Sequence, residues 1–284
     1  MKTDEQRLLP HELAFGFFLI LTLVRLIQAE GILGPHTLWL LILLAACGFV
    51  AWRAAPRPRL VFYAVVVQAL YFLIRSIVDV IHPLREDALL ERADLLLFGF
   101  NPNLALERFS WPLLSDVMSA SYLFFFLPYL AWAFVVYYHG ELTCFRRFCG
   151  GLFTVYALGF LGYTYLPAIA PFAAMADRFH GPLVGGHLTT AHHALVVRGT
   201  NGIDAFPSMH CALTSYVLFF DREFARRRFR VMLAPVALLW VATIYLRYHY
   251  VVDVVAGFAI AAVGLWAARQ PGFRRFSRSR SFCS

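Results

Sequence analysis

Apolar residues occupy most of the chain in long runs, and short polar clusters separate these runs. A helix needs about 20 residues to cross a hydrocarbon core about 30 Å thick. Runs near that length predict eight transmembrane helices, at residues 13–32, 37–53, 60–81, 113–138, 148–169, 207–221, 231–248 and 251–268. Six spans are the alternative, because the runs at 37–53 and 207–221 are short. The expected fold is an all-α polytopic membrane helical bundle.

The stretch from Leu84 to Trp111 has a different pattern. Its apolar residues recur at helical spacing among charged residues such as Glu91 and Arg92, so it is amphipathic rather than uniformly apolar. This pattern predicts an interfacial helix that lies along the membrane surface and does not span it.

Composition and charge support the membrane assignment. The chain is 60% hydrophobic and only 15% charged, whereas soluble domains carry about 25% charge, so a soluble globule is excluded. The net charge of +8 could suggest nucleic acid, but Lys2 is the sole lysine and the arginines gather in alternate connections between apolar runs. By the positive-inside rule, both termini are predicted to be cytoplasmic in a plasma (inner) membrane protein.

Two polar segments stand out, DAFPSMH at 204–210 and YLRYHYVVD at 245–253. His210 and His249 are separated by 39 positions, enough for one descending span, an Arg-rich turn and one ascending span. Both histidines are therefore predicted to lie at the outer end of the membrane, on the same side.

These residue types in this pattern indicate phosphoryl chemistry. His249 and Asp253 are four residues apart on one helix face, so the carboxylate can hold one imidazole nitrogen and leave the other as a nucleophile. Pro207 is predicted to open a helix whose free N–H groups, from Ser208 onward, seat a phosphate. His210 could then protonate the leaving oxygen. The alternatives are an interfacial histidine anchor and a simple helix cap.

The two segments resemble the second and third signature motifs of the type 2 phosphatidic acid phosphatase superfamily. Three segments are similar to its inositol phosphorylceramide synthase-like branch: FPSMH at 206–210, DLLLFGFNP at 94–102 and GYTYLPAIAP at 162–171. The resemblance implies a membrane phosphotransferase or phosphatase without metal or cofactor. It also implies that His249 is the nucleophile that becomes phosphohistidine, that Asp253 orients it, and that His210 is the general acid.

The chain departs from the family pattern at its phosphate-binding charges. The Lys-x6-Arg-Pro first motif is missing, and Phe172 stands where the branch usually has an arginine. The charge must come from elsewhere, and Ser208 is expected to add a hydrogen bond. The candidate cations are Arg247, Arg75, Arg198 and Arg178. The alternatives are snorkelling for Arg247 and a structural pair with Asp79 for Arg75.

Four histidines follow in the outer connection: His180, His187, His192 and His193. Their spacing could suit zinc, but no Cys or acid accompanies them. They are therefore interpreted as a solvated loop.

These observations predict a lipid phosphotransferase with an extracytoplasmic active site. It would move a phosphate or phospho-headgroup, such as phosphoinositol, from a phospholipid donor to a lipid or polyol acceptor. One alternative is a lipid phosphate phosphatase acting on phosphatidic acid or polyprenyl phosphate, and another is a non-catalytic transporter or scaffold. The predicted regions are N-terminal transmembrane helices at 1–83, an interfacial segment at 84–112, a catalytic helical core at 113–268 and a basic cytoplasmic tail at 269–284.

Overall fold

The computed structural model of the chain describes residues 8–270, and within this range it contains thirteen α-helices and no β-strand. The predicted basic tail lies almost wholly outside the described residues. The first three helices are α1 (Pro10–Glu30), α2 (Pro35–Arg53) and α3 (Pro56–Ile81). Each begins on a proline, which has no N–H to leave unpaired in the first turn.

The predicted interfacial segment forms two helices, α4 (Asp87–Phe98) and α5 (Pro102–Glu107). Gly99 ends α4 in the left-handed conformation, with φ of 74°, which a glycine adopts without steric cost. The Asn101 side chain then accepts hydrogen bonds from the N–H groups of Asn103 and Leu104 and so caps α5. The predicted helical character of this segment is confirmed, but the segment is divided into two helices rather than one.

The central helices are α6 (Pro112–Phe125), α7 (Leu127–His139) and α8 (Leu142–Tyr165). The first two form one apolar stretch that breaks at Phe126. Two short helices then follow, α9 (Pro171–Ala174) and α10 (His187–Gly199).

Three helices complete the bundle: α11 (Met209–Phe224), α12 (Arg226–Tyr245) and α13 (Val251–Ala267). Helix α11 is the most enclosed of the three, and it packs against α8, α12 and α13. At the end away from the two histidines, Asp221 accepts bonds from Tyr129 and Tyr137 and pairs with Arg228 at 2.5 Å. This buried network leaves neither charge unpaired.

Every predicted span falls on a helix or, at 113–138, on the broken pair α6 and α7. Five stretches of the described residues are long and apolar enough to cross a membrane, namely α1, α2, α3, α6 with α7, and α12. Helix α13 is a shorter apolar helix. The prediction of an all-α membrane bundle is confirmed, while the number of spans stays a prediction.

Candidate active site

A tight turn between α12 and α13 carries His249. The carbonyl of Thr243 accepts the N–H groups of both Tyr248 and His249, at 3.0 and 3.1 Å. Arg247 within this turn has φ of 62°, a conformation that is uncommon for a residue with a side chain. The turn folds back on the end of α12 and points His249 toward α11.

Close packing of α13 against α11 brings the two histidines together. A Cβ atom at Gly257 would lie 2.6 Å from the carbonyl oxygen of Ser208, so only glycine permits this approach without a shift. The N–H of Ser208 also donates to the carbonyl of Asp253 at 3.1 Å. As a result, Nδ1 of His210 lies 3.2 Å from Nε2 of His249.

Hydrogen bonds determine which ring nitrogens carry protons. Nδ1 of His249 lies 2.8 Å from the carbonyl oxygen of Ala205. A carbonyl only accepts, so this nitrogen carries the proton and Nε2 has the free lone pair. Nδ1 of His210 therefore donates to Nε2 of His249. The tautomer that a histidine nucleophile requires is the one that the surrounding backbone selects.

The carboxylate of Asp253 lies behind the His249 ring. Its Oδ2 is 3.5 Å from Nδ1 of His249 and accepts the N–H of Tyr250 at 2.8 Å. Asp253 is fully buried. The predicted contact between the two side chains is present, but the carbonyl of Ala205 is the nearer partner of Nδ1.

Tyr122 is a residue of the site that the sequence did not reveal. Its hydroxyl lies 2.6 Å from Nε2 of His210, and since Nδ1 of His210 carries the proton, the phenol donates to Nε2. The ring of Phe126 packs on the other side of His210, with 4.1 Å between the ring centroids. Helix α6 and the break before α7 thus fix the orientation of the second histidine.

The start of α11 differs from the prediction. The helix begins at Met209 rather than Pro207, and Ser208 is its N-cap, with its hydroxyl accepting the N–H of Cys211. Because the Ser208 N–H is bonded to Asp253, only the N–H groups of Met209 and His210 lack a hydrogen-bond partner among the described residues. The predicted phosphate seat is therefore smaller, and Ser208 supports the helix instead of facing the cavity.

The site opens into a cavity of about 350 Å³. Its lining includes both histidines, the carboxylate of Asp204 and eight Phe or Tyr residues. These aromatic residues are Tyr71, Tyr122, Phe126, Tyr156, Phe160, Tyr163, Phe172 and Tyr248. Within residues 8–270, no Lys or Arg lines the cavity.

The predicted phosphate-binding cations lie elsewhere. Arg247 donates to the carbonyl of Gly181 at 2.8 Å and to Glu107 at 3.1 Å, and its guanidinium covers the ring of Phe179. Burial lowers the pKa of Arg247, and the nearby Glu107 opposes that change.

The side chain of Arg75 is 57% exposed and lies 3.7 Å from Asp79, while Arg198 is exposed at the end of α10. Arg178 pairs with Glu91. The structure brings none of these cations to the histidine pair.

Helices α4 and α5 contact the turn that carries His249. The carboxylate of Asp94 in α4 accepts the N–H groups of Val251 and Val252, both at 2.9 Å, and so caps α13. Burial raises the pKa of Asp94, and these two backbone bonds partly offset the increase. Asn103 in α5 donates to the carbonyl of His249 at 3.4 Å.

The outer histidines do not all lie in a solvated loop. His187, His192 and His193 belong to α10, and His192 is 1% exposed and lines the cavity. Neither ring nitrogen of His192 has a hydrogen-bond partner. Burial, aided by His193, lowers the pKa of His192 to about 4. The prediction of a solvated loop holds only for His180, whose side chain is 96% exposed. In the part of the chain that the structure describes, no group of three or more His, Cys, Asp or Glu residues is arranged to hold a metal ion.

Comparison with known proteins agrees with the motifs. The family model of the PAP2 superfamily matches residues 89–267. The chain is 27% identical over 178 residues to a phosphoinositol dihydroceramide synthase of Bacteroides thetaiotaomicron, covering 54% of this chain and 57% of that protein. The chain thus spans little more than half the length of this relative. No solved structure matches the chain.

The matched region contains most of α4, all of α5 to α13 and the histidine pair. It also contains most of the cavity lining, except Val67, Gln68 and Tyr71 of α3. The similarity to a synthase supports the branch that the motifs indicated. The chain therefore belongs to the PAP2 superfamily, with its similarity in the inositol phosphorylceramide synthase-like branch.

Proposed function

We propose that the chain is a membrane lipid phosphotransferase that works through a phosphohistidine on His249. The main observation behind this proposal is that Nδ1 of His210 lies 3.2 Å from Nε2 of His249. The carbonyl of Ala205 holds the proton of His249 on Nδ1. This arrangement leaves a nucleophilic nitrogen beside a proton donor, as nucleophilic catalysis at phosphorus requires. Family membership supports action on a lipid phosphate.

The first half-reaction transfers the phosphoryl group to the enzyme. Nε2 of His249 forms a bond to phosphorus while the bond from phosphorus to the leaving oxygen breaks. The leaving oxygen takes the proton from Nδ1 of His210, and Nε2 of His210 takes the phenolic proton of Tyr122. Asp253 stabilises the positive charge that develops on the phosphorylated ring. The N–H groups of Met209 and His210 at the start of α11 bind phosphate oxygens.

The second half-reaction reverses these roles. The acceptor oxygen forms a bond to phosphorus and the bond between His249 and phosphorus breaks. The acceptor hydroxyl gives its proton to Nδ1 of His210, whose Nε2 returns the phenolic proton to Tyr122. Water in this role would produce hydrolysis, so a transferase must keep water away and hold its acceptor in place. The largely aromatic lining of the cavity suits this requirement.

The second candidate function is hydrolysis of a phosphomonoester, and the charge of the cavity disfavours it. A phosphomonoester carries nearly two negative charges at neutral pH, and proteins bind such groups with Arg, Lys or metal ions. Asp204 adds a negative charge to a cavity whose described lining contains no Lys or Arg. A phosphodiester carries only one charge, so the cavity fits a phospholipid donor better than phosphatidic acid.

The test uses purified protein in vesicles that contain a phosphate-labelled phospholipid donor. We expect slow donor loss alone, and faster loss with a new phospholipid product when a ceramide acceptor is added. His249→Ala should abolish turnover, and the protein should no longer become labelled. His210→Ala should lower turnover by about 10²–10⁴ while still forming phosphohistidine from a donor with an activated leaving group.

The exposed His139 at the end of α7 provides the matched control, since His139→Ala removes an imidazole far from the pair. Fast release of inorganic phosphate from phosphatidic acid, unaffected by any acceptor, would establish the phosphatase instead. Failure of both donors to react would favour the transporter or scaffold. We also propose metal independence, which predicts full activity after EDTA treatment, and an active site on the extracytoplasmic side.

A further inference from the structure

We propose that the cavity beside the histidine pair binds a quaternary ammonium headgroup, so that the phospholipid donor is of the phosphocholine type. This inference rests on the proposed function and specifies its substrate. It differs from the phosphoinositol donor that the motifs suggest, and it comes from the charge and the aromatic lining of the cavity.

The carboxylate of Asp204 provides the charge for this site. It accepts hydrogen bonds from Tyr71 at 2.9 Å and from Thr200 at 2.7 Å, and no Lys or Arg in the described chain forms an ion pair with it. Two neutral donors hold the carboxylate but do not cancel its charge. An uncompensated anion in a largely apolar cavity favours a cationic partner over an anionic one.

Aromatic rings line the same cavity as Asp204. The rings of Tyr122 and Tyr248 are 5.2 Å apart at 67°, and Phe172 meets Tyr248 edge-on at 5.9 Å. Tyr122 and Tyr163 line the same cavity as Asp204. Aromatic faces bind quaternary ammonium groups through their quadrupole, and this binding strengthens when water is excluded.

Asp204, the charged residue of the proposed ammonium site, is next in sequence to a residue that contacts His249. Asp204 immediately precedes Ala205, whose carbonyl holds the nucleophile His249. In a phosphocholine headgroup, one oxygen and two carbons separate the phosphorus from the nitrogen. Asp204 and both histidines line the same cavity, so a phosphocholine group with its phosphorus at His249 would have its ammonium group inside the cavity that contains Asp204.

Hydrogen-bonding capacity separates this headgroup from a polyol. A polyol would bring several hydroxyl groups into a lining that is mostly Phe, Tyr and aliphatic residues, and each unpaired hydroxyl costs free energy. The polar pair Tyr71 and Thr200 is already bonded to Asp204. A quaternary ammonium has no N–H to satisfy, so the same lining suits it.

The first experiment compares donors in vesicles of otherwise equal composition. Labelled phosphatidylcholine and labelled phosphatidylinositol are supplied separately at equal mole fraction with a ceramide acceptor. We expect kcat/KM for phosphatidylcholine to be at least about tenfold higher, the factor that about 1.4 kcal/mol of preferential binding produces. Faster turnover of phosphatidylinositol would overturn the headgroup inference and leave the phosphotransferase standing. Turnover of neither donor would overturn both.

The second experiment measures binding without catalysis. Tetramethylammonium chloride should raise the Tm of the purified protein, because a ligand that binds only the folded state stabilises it. Sodium chloride of equal ionic strength and myo-inositol should not. In Asp204→Asn this shift should disappear and the donor preference should fall about tenfold, whereas Asp79→Asn, at an exposed pair outside the cavity, should retain both.

An equal tetramethylammonium shift in Asp204→Asn and wild-type protein would contradict the assignment. A larger Tm shift with myo-inositol than with tetramethylammonium would also contradict it. If Asp204→Asn does not fold, the donor comparison and the wild-type Tm shifts still decide the question.

Discussion

The orientation of His249 shows how a single backbone group can determine the chemistry of a side chain. The carbonyl of Ala205 fixes the proton on Nδ1 of His249, and the contacts along the His249–His210–Tyr122 chain then assign every other proton. The phenol of Tyr122 ends this chain on Nε2 of His210. In the proposed mechanism, Nε2 of His210 takes the phenolic proton as Nδ1 gives up its own, so the ring stays neutral.

Tyr122→Phe keeps the aromatic packing and removes only the hydroxyl. We expect turnover of a lipid donor to fall about 10- to 100-fold, since the general acid loses part of its support. A donor with a p-nitrophenol leaving group needs little protonation and should lose less than about threefold. The measurement is kcat for both donors at saturating concentration.

Tyr216→Phe is the matched control for Tyr122→Phe. Tyr216 also lies buried beside α8, where its hydroxyl donates to the carbonyl of Phe148 at 2.7 Å, but it does not bond to either histidine. Tyr216→Phe should change stability, and its effect on kcat should be the same for both donors. Equal losses for both donors in Tyr122→Phe would show that the hydroxyl serves only packing.

His192 yields a prediction about stability and pH. Its folded pKa of about 4 lies below the ordinary value of 6.5, so between these values the unfolded state binds more protons than the folded state. Stability should therefore fall as pH decreases from 6.5 toward 4, by at most about 1.4 kcal/mol per unit. His192→Phe should keep or raise the Tm at pH 7 and show a smaller decrease at pH 4.5.

The comparison for His192→Phe is His139→Gln at an exposed position. This variant should retain the wild-type pH dependence of Tm. A marked loss of stability in His192→Phe at pH 7 would mean that the imidazole nitrogens have partners in the folded protein.

At the scale of elements, α4 and α5 hold the turn that carries His249. Asp94 caps α13, Asn103 contacts the carbonyl of His249, and the side chain of Asp87 accepts the N–H of Ile169. The turn that carries His249 is therefore held both by α12 below and by α4 and α5 above. This gives the amphipathic segment a role in positioning the nucleophile.

Asp94→Ala removes the cap from α13, and loss of a helix cap costs about 0.5–2 kcal/mol. We expect a lower Tm and a fall in kcat, because the turn with His249 loses its support, while KM changes little. Asp94→Asn keeps one acceptor oxygen and should recover part of both quantities. The control is Asp177→Ala, at an exposed position outside the site. If Asp94→Ala raised KM and left kcat unchanged, the residue would act on substrate binding instead.

The helices were largely predictable, since long apolar runs can satisfy their backbone only as helices in lipid. The division of 84–111 was also encoded locally, in the left-handed Gly99 and the Asn101 cap before Pro102. The histidine pair followed from motif and spacing. The contacts of Tyr122 and Ala205 join positions 88 and 44 residues from their partners, and no local pattern indicates such contacts. These contacts arise only when the helices pack together.

For the whole molecule, the positive-inside rule predicts which side the histidines face. The turns at Gly140 and Ala225 join helices at one end of the bundle, and arginines cluster near both turns. His210 lies at the other end of α11, and His249 follows the other end of α12. In the same turn as His249, Arg247 donates to the carbonyl of Gly181. Because arginine-rich ends stay in the cytoplasm, the active site should open to the extracytoplasmic side.

Single cysteines test this orientation. In intact cells, a membrane-impermeant maleimide should label Gly181→Cys, which lies in an outer loop with open space around its Cα. It should label Gly140→Cys only after the membrane is permeabilised, with the unmodified chain providing the background from native cysteines. Labelling of both positions in intact cells would refute the span assignment between them. Labelling of Gly140→Cys alone would show the opposite orientation, with the histidine pair on the cytoplasmic side. The donor and acceptor would then have to come from the inner leaflet.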